Sequence, residues 1–293
     1  MISVVKKLLD LNLSNSLIGT LLLISTYLFF SIMELTAKEL GQSFNPFQVV
    51  FARYSSQLIL LLIIFNKKTG KHLKSEFPLL QVLRGALLLI TTCFMFSGLA
   101  YLTFAENIAI YMIGPVITTI LAFFILKEKI TLTQIIIVIV GLIGAIIISK
   151  PNSNVFNYAI IFPFLAATCF AFFTIFTKFL NTSDSNQTTL LFTAVSGSVL
   201  SLPFIFFYWE TPNFYQLALM FCLGSLATIG HFFFIEALKV INASFAAPFV
   251  YLTVLLAAFW GFFIYDEIPD DNTILGAFLI ILAGIIITRI KTK

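Results

Sequence analysis

A handful of side chains in this sequence could do chemistry, and most of them stand inside long apolar runs. Glu34 and Lys38 lie four residues apart in MELTAK, and Arg53 interrupts FQVVFARYSSQ. His231 sits within SLATIGHFFFIEALK, with Glu236 and Lys239 close behind it. A charge at the middle of a bilayer costs about 2.5–3.5 kcal/mol. Each of these groups must therefore face protein, a partner or water. An acid four residues before a base shares its helix face. Glu34 is then either neutralised by Lys38 near the outer interface, or a cavity carboxylate that binds an amine or a proton. Arg53 calls for Glu34, backbone carbonyls or a substrate carboxylate. His231 is either a hydrogen-bonded packing residue or a group that handles substrate or protons. Glu236 and Lys239, three apart, read as an interface pair or an inner gate.

Milder polar groups share the runs. Tyr27, Tyr111 and Tyr251 carry hydroxyls at membrane depth, where an aromatic with a polar tip suits an organic cation or a heterocycle. Thr92 lies in a third run, and Glu106 with Asn107 opens a fourth, where capping of the helix dipole competes with a functional role. Pro115 and Pro248 remove backbone hydrogen bonds, which a helix bundle tolerates where the gap faces protein or a cavity.

What must position these groups follows from composition. Of 293 residues, 60% are hydrophobic and 10% are charged. A soluble domain carries about 25% charged residues, so the chain is an integral membrane protein whose solvent is the lipid bilayer. Ten runs are long enough to cross it, at about 17–37, 46–65, 78–99, 104–126, 132–149, 156–179, 187–208, 214–237, 243–265 and 273–289. NKKTGKH, KPNSN, NTSDSNQ, ETPN and DEIPDDN break them. With the N-terminus inside, short inner loops and span ends collect 14 Lys and Arg, Arg84 and Lys178 among them. The outer side has two, Lys38 and Lys150. Both termini are therefore expected in the cytoplasm. Lys6 and Lys7 precede a first run without a cleavage site, which predicts a retained helix. Trp209 and Trp260 lie towards span ends, as interface anchors do. Cys93, Cys169 and Cys222 fall in apolar runs without disulfide or metal spacing. All five Asp lie in loops or the N-terminal arm, and HExxH, GxSxG and phosphate-cradling loops are missing. No enzyme, cofactor, metal or nucleic-acid partner is predicted.

The chain repeats itself. Residues 85–128 align on 224–267 without gaps, with nine identities in 44 positions, including Gly85/Gly224 and Glu128/Glu267. An offset of 140 aligns the first spans, with Lys38 on Lys178 and Ser56 on Ser196. His231 falls on Thr92, and Thr193 stands where the first half has Arg53. Five spans per half is an odd number, so residues 1–150 and 151–293 enter the membrane in opposite senses, an inverted repeat of the kind found in secondary transporters. FFILKEK (123–129) and FFIYDEI (262–268) are then the same turn on opposite sides.

These blocks resemble the drug/metabolite transporter superfamily in its ten-helix EamA-type branch. AKEL with FARY, AENIAIYMIGPVITTILAFFILKEKIT and VGLIGAIII in the first half are similar to its motifs, as are ASFAAPFVYLTVLLAAFWGFFIYDEIP and LGAFLIILAGIIIT in the second. QVLRGALLL resembles a subgroup that includes S-adenosylmethionine and riboflavin importers. The resemblance implies transport of a small metabolite, through a cavity lined mainly by spans one, three, four, six, eight and nine. The expectation is a multi-pass carrier of the bacterial inner membrane, taking a small polar metabolite by alternating access, with protons as a candidate coupling ion. A multidrug exporter of lipophilic cations is the alternative. Oligomeric state and substrate identity stay open.

Overall fold

The computed structural model describes residues 14–289 apart from 100, 103, 150–157, 266–267 and 269. Lys6, Lys7, Lys150 and Glu267, named above, lie outside them, as do Asp10, Asp266, Lys291, Lys293 and the Glu106 side chain. Ten helical spans are long and apolar enough to cross a membrane. They run Asn15–Gly41, Pro46–Phe65, Pro78–Leu99, Phe104–Ile125, Leu132–Ser149, Tyr158–Leu180, Asn186–Tyr208, Phe214–Val240, Ala243–Tyr265 and Asp271–Thr288. Polar residues start several of them: Ser14, Asn45, Ser185, Asn213 and Asp270 each accept a backbone N–H of the first turn. Lys127 closes the turn after span four with a positive φ of 56°.

Two spans are discontinuous. Span four breaks between Tyr111 and Gly114, one residue before Pro115. Span nine begins as a short helix, Ala243–Ala246, then tightens to a 3-10 segment, Ala247–Tyr251, across Pro248. Missing proline N–H groups account for both.

The two halves pack on each other through matching contacts. A Cβ placed on Gly85 of span three would meet Ser196 Cβ of span seven at 2.6 Å. One on Gly224 of span eight would meet Ser56 Cβ of span two at 2.5 Å. These are the same contact in the two repeats, and each needs a glycine because the helices touch backbone to side chain. Spans five and ten cross at Gly144 and Gly276, where a Cβ on either glycine would come within 2.8 Å of the other's carbonyl oxygen. Small residues allow this close approach, which is how helices gain packing energy in lipid. The outward faces carry exposed Ile63, Phe206, Phe207 and Phe263, suited to acyl chains.

Candidate functional site

Span one lays Tyr27, Phe30, Ser31 and Glu34 along a single stripe, at spacings of three, four and seven residues. Tyr27 and Phe30 are buried and meet edge to face at 6.2 Å between ring centres. Glu34, at the top of the stripe, is exposed, yet it lies within electrostatic range of Arg53 in span two and Tyr111 in span four. Glu34 is thus an exposed carboxylate within the field of interior groups.

Below it, Arg53 Nη2 lies 3.0 Å from His231 Nε2. A guanidinium has only donors, so His231 accepts at Nε2 and keeps its proton on Nδ1. The pair is 9% and 1% exposed, respectively. Arg53 also stacks over Tyr54, 5.0 Å from the ring centre. The His231 ring is edge-on to Phe30 at 4.8 Å and to Phe173 of span six at 5.9 Å.

Phe173 carries Arg84 on its other contact, with Cζ 4.4 Å from its ring centre. Arg84, expected as an inner topology cation, is fully buried near the start of span three. It donates to the Thr177 and Thr193 hydroxyls, each at 2.6 Å, and to the Thr189 carbonyl at 3.4 Å. Its position six residues into a predicted span was the signal. The loop-like cluster of cations before it hid that signal. Tyr54, Gln57 and Phe173 were also passed over, since their types are common in any bundle.

The other expected site residues are spread more widely. Thr92, half-buried, donates to Leu88 O within its own helix at 3.1 Å. Asn107 is fully buried and donates to Met95 O of span three at 3.0 Å, so it fastens the start of span four. Tyr111 is half-buried, 6.2 Å from Phe170 between ring centres. Tyr251 is buried and donates to Val138 O of span five at 3.1 Å. Pro115 starts the second part of span four in a buried position. Pro248 and Tyr251 border a groove of about 250 Å³ between spans one, nine and ten, far from the arginines. Lys38 is exposed. Glu236 pairs with Lys239 at 2.8 Å and accepts from Asn186 of span seven at 2.7 Å. Trp260, expected as an interface anchor, instead donates to Ser31 Oγ at 3.0 Å and ties span nine to span one. Cys222 is exposed on the lipid side rather than in the core.

The end of the bundle at which span one starts and span ten finishes is cross-linked by polar bonds. Lys178 donates to the carbonyls of Leu238 and Ile241 at 2.8 and 2.7 Å. Asn181 and Asn186 donate to the carbonyls of Ile235 and Phe232. Glu128, at the end of span four, accepts from the Ala243 and Ser244 amides and from Ser244 Oγ. It caps span nine from a neighbouring element.

A model of the EamA-like transporter family matches the chain twice, over residues 17–150 and 157–289. The chain is 34% identical over 265 residues to the S-adenosylmethionine uptake transporter of Rickettsia prowazekii, covering 90% of both chains. It is 28% identical over 189 residues to the riboflavin transporter of Vibrio cholerae, covering 64% of this chain and 63% of that one. The pseudopaline exporter of Pseudomonas aeruginosa is 23% identical over 93% of this chain and 96% of its own. A solved crystal structure shares the fold at a TM-score of 0.79, over 91% of this chain and 94% of the other, with 14% identity. The chain belongs to the EamA-like transporter family, as a small-metabolite transporter with ten membrane spans.

Proposed function

We propose that this member of the EamA-like family takes up S-adenosylmethionine or a closely similar metabolite bearing a cation and an amino-acid group. The observation that carries the reading is Glu34: an accessible carboxylate, facing the interior, within reach of an aromatic hydroxyl. A sulfonium or ammonium gains charge pairing there, and an aromatic edge or face adds to it. The uptake relatives support both the substrate class and the direction.

In this reading both termini are cytoplasmic, which the excess of Lys and Arg in the inner loops supports. Glu34 then opens to the outside, while Lys178, Asn181, Asn186 and Glu128 seal the inside. Transport proceeds when substrate binding favours release of those inner ties and closure of the two halves above Glu34. The chain has no phosphate-cradling loop, so the driving force is an ion gradient or the substrate's own.

Uptake of radiolabelled S-adenosylmethionine into proteoliposomes tests this directly. We expect saturable uptake that Glu34→Gln lowers about 100-fold, equivalent to about 2.7 kcal/mol. Uptake unchanged by Glu34→Gln would remove Glu34 from the site. No uptake, and no thermal stabilisation by the compound, would remove the substrate class.

A further inference from the structure

We infer that the Arg53–His231 pair is the docking site for a carboxylate of the transported molecule, which makes a free carboxylate a requirement for recognition. This rests on the transport reading above but concerns the other end of the substrate from Glu34.

Arg53 Nε and His231 Nδ1 are buried N–H donors without an acceptor, and Arg84 Nη2 is a third. The tautomer fixed at His231 leaves no acceptor on either side chain of the pair. The pair itself can therefore give hydrogen bonds and cannot receive them. Charge points the same way. Two buried guanidinium groups, Arg53 and Arg84, lie on either side of the His231–Phe173 contact. The carboxylate within electrostatic range of Arg53 is Glu34, which makes no ion pair with it. The surroundings of the pair thus carry an excess positive charge in a membrane interior, where an unpaired ion is costly. A carboxylate offsets that charge and accepts two N–H groups at once, the geometry for which arginine is suited. A molecule with unlike ends could place a cation near Glu34 and its carboxylate at Arg53. Loss of the carboxylate leaves buried donors unpaired, and a site of that kind rejects the deficient analogue strongly.

Matched ligands test the requirement on the unaltered, detergent-solubilised protein. S-adenosylmethionine is compared with its decarboxylated form, and methionine with methioninamide, by thermal shift and by competition for uptake. We expect each acid to bind at least tenfold more tightly than its mate. Arg53→Gln should bring the two within about twofold. If that variant does not fold, the ligand pairs alone decide. Equal affinity for S-adenosylmethionine and its decarboxylated form overturns the carboxylate site and leaves the uptake reading standing. Failure of S-adenosylmethionine to bind, with methionine still preferred over methioninamide, overturns the uptake reading and supports the site. Equal stabilisation by chloride, acetate and methionine marks an adventitious anion site and overturns the proposal. An absence of any acid-over-amide preference does the same.

Discussion

The two halves of this transporter make one contact alike and its neighbour differently. Gly85 packs on Ser196, and its repeat mate Gly224 on Ser56, so closely that a Cβ on either glycine would stand 2.6 or 2.5 Å from the serine Cβ. Both contacts join spans three and seven or their mates, spans eight and two. On the same pairs of helices, Arg53 meets His231 in one copy. In the other copy the corresponding residues are Thr193 and Thr92. There Thr193 instead accepts from Arg84, whose own mate is Leu223. The inverted repeat therefore reproduces the backbone approach and not the chemistry. Under the proposed alternating access, duplicated packing lets each half close against the other from either side. In the same proposal, unlike polar side chains would meet the unlike ends of the substrate.

Replacing Arg53 by the residue of the other half, Arg53→Thr, breaks this asymmetry most directly. It should leave folded protein and lower uptake by two to three orders of magnitude, roughly the 2–5 kcal/mol lost when one member of a buried charged contact is removed. Normal uptake by that variant would make the difference between the halves incidental. The packing side of the comparison is tested at the two glycines. Gly85→Ala and Gly224→Ala should each destabilise by about 1–3 kcal/mol through overpacking. Ser196→Gly should restore Gly85→Ala, since Ser196 side-chain atoms are what the new methyl meets first. Ser56→Gly should restore Gly224→Ala only in part, because the Gln57 backbone nitrogen also stands 2.5 Å away. Thermal melts in detergent read all four. Full rescue at both sites would show the interface to be softer at span eight than its backbone contact implies.

The spans were legible because lipid imposes a length and a composition: Pro46–Phe65 and Pro78–Leu99 coincide with the runs read from sequence. The repeat was legible because Gly85, Gly224, Ser56 and Ser196 hold register, and the structure brings those four into two matching contacts. The site was legible only in pieces. Arg53, Glu34 and His231 stood out as ionisable groups in apolar runs, whereas nothing in one dimension says that spans two and eight adjoin. Arg84 was hidden by its neighbours: Lys67, Lys68, Lys71 and Lys74 are surface cations, and span three begins only four residues after the last of them. A one-turn difference in depth separates a topology signal from a fully buried guanidinium, and sequence boundaries do not resolve one turn. The Lys178 and Asn181 ties were equally invisible, since their acceptors are backbone carbonyls about 60 and 54 residues away.

The smallest expected effect concerns the seal at the terminal end. Glu128 presents two carboxylate oxygens to the Ala243 and Ser244 amides, at 2.8 and 2.9 Å, and takes the Ser244 hydroxyl as well. Those amides are orphan donors at the start of span nine, and a charged acceptor there also meets the positive end of the helix dipole. Glu128→Gln keeps the shape and one acceptor but loses the charge, which should cost about 1–2 kcal/mol. Amide hydrogen exchange over Ala243–Ala246 should then quicken about tenfold, since about 1.4 kcal/mol of local opening energy is a factor of ten. Binding at Glu34, far from this turn, should be unchanged. Unaltered exchange in the variant would mean that span nine is held by its buried neighbours, such as Phe245 and Phe249, and not by the acid that closes span four.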